Sequence, residues 1–483
     1  MNKKHLVTLV FALTFLLIVS SCSNQNKVIL TQNTLNRLDG MDVASNTPKP
    51  AGYDEVIYDI LPDKVNLLIT LKGESGENRK ITGLYLFDLK SKKTKRLFDN
   101  FPGTITVPVY LIDQFDPDNF IAEYTPQDSE FTQIGRFNGT KHQYTPILNI
   151  PLKNVEIERI FTDQNLVFYT VDNPSTYTRS FCMMKLDGSS QRNIMEGKSL
   201  FVFTHLMLDQ DRFLLDGDYE EESSFDKMVF CLIYTPKQNT YLWIHRGKMV
   251  EPVKDFLGVY HNQLLFALIK ENSTKVSFEM VDYDGKQRKT FSIPLNYRGL
   301  GPILIDEPVN RLFFGYTSME TKEEPDKKDR IILIDLLTDT AREIFSYTNT
   351  RSDIGICLNQ TENTLFFTTN IYPEYKEKVC HRIHLDTFKE DTYSFPEPSS
   401  AYYSSDGDYL FSTFIDKDPT KHGIFNCKTK KLTLLKEKIT LTKDSYALDI
   451  PITKQYLVIT NDADQSKYLY FVDMDGNLTR YTL

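Results

Sequence analysis

Short runs of two or three apolar residues, each introduced by Asn, Asp or Gln, recur along most of the chain. They begin at Asn66, Asn119, Asn165, Asp211, Asn262, Asn310, Asn363, Asp408 and Gln455, about 48 residues apart. A second element follows each copy: an apolar strand often ending in Asp or Asn, a tight polar turn, and another short strand. Leu84-Tyr85-Leu86-Phe87-Asp88, Ile332-Leu333-Ile334-Asp335 and Tyr470-Phe471-Val472-Asp473 show it most clearly. The runs are rich in β-branched and aromatic residues, Asp-Gly and Asn-Gly mark several turns, and no 3.6-residue apolar period is sustained. Antiparallel hairpins are therefore predicted throughout.

Each unit has room for four strands. Four-stranded sheets repeated in series, none able to bury both faces alone, make a β-propeller, in which neighbours complete one another's cores and closure hides sheet edges. The expected fold is all-β: a propeller of four-stranded antiparallel blades, eight or nine in number, since nine units are counted and a terminal one can be shared. Two smaller propellers are the alternative, but no Gly/Ser/Pro linker marks a break between them. Around Ser404-Ser405-Asp406-Gly407-Asp408-Tyr409-Leu410-Phe411 the chain resembles the TolB-like and WD-repeat-like propellers of exported bacterial proteins. The likeness covers residues 53 to 483, and it stops at the broad class because the Trp-Asp pair of true WD repeats is missing.

The repeats do not reach the amino end. Lys3 and Lys4, an apolar run from Leu6 to Val19 and small residues before Cys22 make the three parts of an export signal, and the run is shorter than the roughly 20 residues a spanning helix needs. Val19-Ser20-Ser21-Cys22 resembles the lipobox of bacterial lipoproteins. That resemblance implies a signal peptide over 1–21, an acyl group on Cys22 and attachment to a membrane outside the cytoplasm. Residues 22–52, polar and with Pro48 and Pro50 near their end, read as a lipidated terminus and flexible tether before the propeller at 53–483. Ser23 in place of Asp favours, by analogy with lipoprotein sorting, an outer-membrane position. Asn24-Gln25-Asn26 lacks the acidic run of some surface-export signals, so a periplasm-facing position is preferred and the cell surface is the alternative.

Composition excludes other classes. The 483 residues are 41% hydrophobic, 12% aromatic and 25% charged, which rules out a disordered chain or a coiled coil. A net charge of -9 excludes nucleic acid as an expected partner, because phosphate binding needs surplus Lys and Arg.

The loops joining second to third strands vary in length and chemistry, while the third-to-fourth turns are short. With the inter-blade connections, the former define one loop-rich face as the expected binding surface. Its candidates are Tyr177, Arg179, Asp218, Tyr219, Tyr297, Arg298, Tyr372, Tyr375, Tyr402 and Tyr403, residue types that combine large contact area with polar tips.

Evidence for chemistry is thin. Cys380-His381-x-x-His384 falls on a strand, where alternation puts Cys380 and His384 on one face and His381 on the other, so a structural role is expected and no metal site. The acidic stretch from Asp216 to Asp226 does not have calcium-loop spacing. Cys182, Cys231, Cys357, Cys380 and Cys427 lie in apolar strands and read as buried small residues. His205 sits on an expected innermost strand. No nucleophile elbow, Walker motif or dinucleotide fingerprint occurs, so no cofactor is expected and no catalytic residue is assigned. The reading preferred on sequence is a lipid-anchored, non-enzymatic propeller that binds a protein, peptide or glycan. The alternative is a polysaccharide-acting hydrolase or lyase with residues from several blades meeting at an axial pocket.

Overall fold

A computed structural model describes residues 28–30 and 53–482, apart from 76–78, 128, 130–131, 149–154, 174, 222–225, 249–252, 270–273, 296, 319–327, 349, 352–355, 372–376, 397–400, 414–420, 440–445, 452 and 462–466. Cys22, the signal segment, Tyr372 and Tyr375 lie outside the described residues, as does all of the expected tether except 28–30. There Val28–Leu30 pairs antiparallel with the strand Tyr53–Ile60.

Among the described residues the strands group into nine four-stranded antiparallel blades in which spatial order follows chain order: 53–102, 104–148, 155–198, 198–248, 253–294, 297–348, 350–396, 401–434 and 446–482. The third and fourth blades share one strand, Arg192–Met207, whose first half pairs with Thr178–Lys185 and whose second half pairs with Phe213–Glu220. In the seventh blade, Thr350–Arg351 and Cys357–Asn359 together flank Thr364–Ile371. The chain is an all-β propeller of four-stranded blades.

Both repeat elements have a backbone cause. Asn165, Asn262, Asn310 and Asn363 turn the chain between first and second strands with φ of 57°, 59°, 59° and 49°, the left-handed region Asn tolerates better than other residues with a Cβ. Their neighbours then close the blade. The N–H groups of Leu186, Leu336 and Leu385 donate to the carbonyls of Asn165, Asn310 and Asn363 at 3.3, 2.8 and 2.9 Å, and Cys427 does the same to Asp408 at 2.9 Å. The Asp or Asn ending the third strand caps the next turn: Asp335 Oδ1 accepts from Leu337 and Thr338 at 2.8 and 3.0 Å, and Asn426 Oδ1 from Lys428 and Thr429 at 2.9 Å each. A side-chain carbonyl or carboxylate two residues back is what fixes such turns.

Contacts divide the described chain into two compact units, one of 25–239, 442–473 and 478–483, the other of 240–441 and 474–477. In the first, Phe98, Phe120 and Phe137 form an aromatic centre between blades 1 and 2, with Phe120 stacked on Phe137 at 5.4 Å and Phe98 edge-on to Phe137 at 5.6 Å. Burying one such ring stabilises by about 2–3 kcal/mol. In the second, Phe278 of blade 5 meets Phe314 of blade 6 edge-on at 5.4 Å.

Several segments expected to be loops are strands. Asp216-Gly217-Asp218-Tyr219-Glu220 reads as a turn, yet Phe213–Glu220 is a strand paired along its whole length with Lys227–Thr235 and, through two register shifts, with Arg192–Met207. Gly217 is there for close approach: a Cβ would stand 2.0 Å from the Phe201 carbonyl oxygen. Likewise Tyr297–Asp306 and Ala401–Tyr403 are first strands of blades rather than connections, and Arg179 is the second residue of the third strand of blade 3, Thr178–Lys185. Polar and glycine residues signal turns only when no neighbouring strand claims their backbone.

Candidate functional site

In blade 3 the first strand, Val155–Phe161, alternates buried Val155 and Ile157 with Glu156 and Glu158. Its register slips between Ile157 and Arg159, which leaves Glu158 at a bulge, the device by which a strand re-aims a side chain. Glu158 Oε1 accepts from Thr170 Oγ1 at 2.9 Å. Burial raises its carboxyl to about 7; Glu156 and Glu123 push the same way, while the Thr170 hydroxyl and Arg179 oppose. Glu123, from the second strand of blade 2, is also raised by burial, and its Oε1 accepts the Ile157 N–H at 2.8 Å across the two blades.

A short turn, Val109–Leu111, completes this group. Arg159 Nη1 donates to the Tyr110 carbonyl at 3.3 Å, Asp113 Oδ1 accepts the Thr162 N–H at 3.0 Å, and Ile112 bridges Ile160 in parallel. Tyr110 is thereby held with 62% of its surface exposed. Partial enclosure raises its phenol, with Glu123, Glu156, Glu158 and Asp59 adding to the effect.

Toward the loop end of the same blade, Arg179 forms a two-pronged pair with Asp172, Nε to Oδ1 at 2.6 Å and Nη2 to Oδ2 at 3.0 Å. These bonds hold the guanidinium charged. Its carbon sits 5.2 Å from the centroid of Phe201, which is 50% exposed. Beside it the 175–177 turn carries Tyr177, 81% exposed with φ of 56°. A large aromatic in the left-handed region costs backbone energy, a kind of strain that clusters where side chains contact ligands.

Of the ten candidates, Tyr177 and Arg179 come to this surface. Asp218 and Tyr219 support it from inside: Asp218 is 5% exposed, stands opposite Phe201 in the register and pairs with Lys227 at 3.0 Å, while Tyr219 packs on Phe230 at 6.3 Å. Burial raises the Asp218 carboxyl and Lys227 opposes that rise. Tyr402 is half-buried in the first strand of blade 8. Tyr403 turns inward, its hydroxyl donating to the His381 carbonyl at 2.9 Å and its ring 4.8 Å from Phe366. Tyr297 and Arg298 lie on the first strand of blade 6. Sequence reasoning missed Phe201, Asp172, Tyr110, Glu123, Glu156 and Glu158. The glutamates of Val155-Glu156-Ile157-Glu158 carried a signal, two acids alternating with β-branched residues on a first strand.

Elsewhere the chemistry is internal. Cys380 packs with Leu410 and Cys427, whereas His381 faces the other way, its Nδ1 2.6 Å from Glu390 and its Nε2 2.8 Å from Thr369. His384 Nε2 lies 3.3 Å from Asp391. The alternation expected for this segment is therefore present. Among the described residues no three His, Cys, Asp or Glu side chains are placed to hold a metal ion. His205 lies on the shared strand. An open cavity of about 400 Å³ lies among the first-to-second strand turns of blades 6 to 8, lined by Ile305, Leu358, Gln360 and Asp406 among others. Its amides are already engaged, Gln360 Nε2 with Asp306 at 3.1 Å and Asn359 Nδ2 with the Asp406 carbonyl at 2.6 Å.

No family model matches the sequence, and no curated protein matches it. Among solved structures the chain is similar to a Porphyromonas gingivalis dipeptidyl peptidase 4 (11% identity, TM-score 0.49, 86% of this chain and 64% of that one). It is also similar to the WD40 domain of SCAP from fission yeast (13%, 0.37, 88% and 96%) and to an oligogalacturonate lyase in complex with manganese (10%, 0.32, 88% and 95%). The chain thus spans less than two thirds of the peptidase.

Proposed function

We propose that this chain is a lipid-anchored extracytoplasmic propeller that binds a protein, peptide or glycan through the loop end of blades 3 and 4. The observation that carries the reading is the exposed Phe201 at the Asp172-held guanidinium of Arg179, with the exposed Tyr177 two residues before that arginine on the adjoining turn. Such a surface offers apolar contact area that is already ordered, so little conformational entropy is lost on binding. Anchoring through acylated Cys22, at the periplasmic side of an outer membrane, is part of the same reading and rests on the lipobox-like residues alone.

Cross-linked capture from native membranes tests the binding. The wild-type chain is expected to retain a partner that Tyr177→Ser/Phe201→Ser loses at unchanged thermal stability, and equal capture by both chains overturns the assignment of this surface. Cys22→Ala is expected to move the protein from the membrane to the soluble fraction; unchanged retention refutes acylation as the anchor.

One observation favours a second reading, a polysaccharide-acting hydrolase or lyase: Glu158, raised to about 7, stands with Glu156 of its own strand among Glu123 and Tyr110 from two other elements. A carboxyl that exchanges its proton near neutrality suits general acid or base work. Turnover of an acidic or neutral polysaccharide that Glu158→Gln abolishes would establish it.

A further inference from the structure

The last strand of blade 8, Lys431–Leu434, stands at the end of its sheet, and among the described residues no strand pairs with its outer edge. Around it the chain reads Lys428-Thr429-Lys430-Lys431-Leu432-Thr433-Leu434-Leu435-Lys436-Glu437-Lys438, five lysines against one acid in a protein whose net charge is -9. All five lysines are exposed, and so are Leu432 at 37% and Leu434 at 44%.

Two of the lysines are internally matched. Lys428 pairs with Asp408 at 2.7 Å and with Glu362, and Lys430 pairs with Asp391 at 3.0 Å. Among the described residues Lys431, Lys436 and Lys438 have no carboxylate partner; Lys436 Nζ instead donates to Asn477 Oδ1 at 2.5 Å. The segment is well held, with the Leu435 N–H on the His422 carbonyl at 2.9 Å and the Lys436 N–H on the Gly476 carbonyl at 3.0 Å. The positive charge therefore sits on a fixed surface.

Lysines on an edge strand are a common defence against unwanted strand pairing. That role does not account for Leu432 and Leu434, two exposed leucines at alternate positions of the same edge, since a defended edge is made polar. Unmatched cations flanking exposed aliphatic side chains are instead the chemistry of a surface that lies against anionic headgroups, the ammonium groups at phosphate depth and the leucines at the acyl boundary.

We propose that this edge of blade 8 docks on the anionic phospholipid surface of a bilayer. The proposal rests on the anchoring reading only in that acylation at Cys22 would bring a bilayer close; the contact itself needs no acyl chain.

The test therefore uses the full chain carrying Cys22→Ala, with phospholipid vesicles containing about 30% phosphatidylglycerol or only phosphatidylcholine. Co-sedimentation with the anionic vesicles, absent with the neutral ones and lost when salt rises from about 0.05 to 0.5 M, is the expected result. Lys431→Gln/Lys436→Gln/Lys438→Gln should lower the partition coefficient at least about tenfold, and Leu432→Ser/Leu434→Ser should lower it as well. A control with the same net charge, Lys90→Gln/Lys141→Gln/Lys185→Gln, should bind like the parent. No binding to anionic vesicles, equal binding by the triple variant, or equal loss in the control overturns the proposal, the last by assigning the effect to net charge. Membrane retention of the Cys22 chain is scored separately, so failure of anchoring and failure of this contact give different patterns.

Discussion

Lys92 Nζ stands 3.0 Å from the centroid of the Phe471 ring. Lys92 belongs to the last turn of blade 1 and Phe471 to the third strand of blade 9, so the first and last repeats of the sequence meet inside one compact unit. Phe87, the penultimate residue of the third strand of blade 1, lies 6.3 Å from the same ring. Between consecutive blades the covalent chain helps hold neighbours together, but here packing alone joins residues nearly 400 positions apart.

Phe471 is accordingly expected to be a point of high sensitivity. It is fully buried, and Phe471→Ala should cost about 3–5 kcal/mol, the range for emptying an aromatic core site. Urea unfolding followed by near-ultraviolet circular dichroism measures this, and a cost under about 1 kcal/mol would show that the seam contributes little.

Glu158 sets a pH dependence of defined sign. Its folded carboxyl, at about 7, lies above the unfolded value near 4.5, so the folded state holds the proton more tightly. Stability contributed by this group is present below the unfolded value and is lost as pH rises toward 7. Glu158→Gln should thus be nearly neutral at pH 4.5 and stabilising by about 2 kcal/mol at pH 8. Thermal unfolding across that window is the measurement; a variant destabilised equally at both values would contradict the burial of this carboxyl.

His381 links three strands of blade 7. Its ring stacks on Phe367 at 4.8 Å, with Thr369 and Glu390 at its two nitrogens. His381→Leu keeps much of the packing but leaves the Thr369 hydroxyl, itself buried, without its partner, at an expected cost of about 2–3 kcal/mol. Pairing His381→Leu with Thr369→Val should recover part of the loss, and strict additivity of the two changes would argue against the bond.

The buried thiols should be silent in the native protein. Burial pushes Cys182 up to about 11 and Cys427 up to about 12, which leaves almost no thiolate at neutral pH, and Cys231 and Cys380 are equally enclosed. Treatment with a charged aromatic disulfide at pH 7.5 is expected to modify none of the four until urea is added. Rapid native reaction at any of them would show that its blade opens.

The sequence determined the blades. Asn, Asp or Gln at the first-to-second turns, Asp or Asn at the end of many third strands and alternating β-branched residues between them act within about 50 residues, so Asn310, Asp335 and their counterparts announce their role locally. Strand ends were less legible: Asp216-Gly217-Asp218 carries turn residues, and only the approach of the shared strand to Gly217 makes it a strand.

The candidate surface was half visible. Tyr177 and Arg179 were readable as loop-end residues, but Phe201 belongs to a strand shared by two blades, and its meeting with Arg179 depends on how that strand crosses from one sheet to the next. Asp218, paired on both sides, and Tyr219, paired with Met228, are alike in sequence to exposed loop residues yet are drawn inside by the strand they lie on. Turn chemistry is a short-range interaction between residues a few positions apart, which a sequence displays directly. Exposure, burial and the meeting of Lys92 with Phe471 depend on which distant strands share a neighbour, and only the tertiary structure decides that.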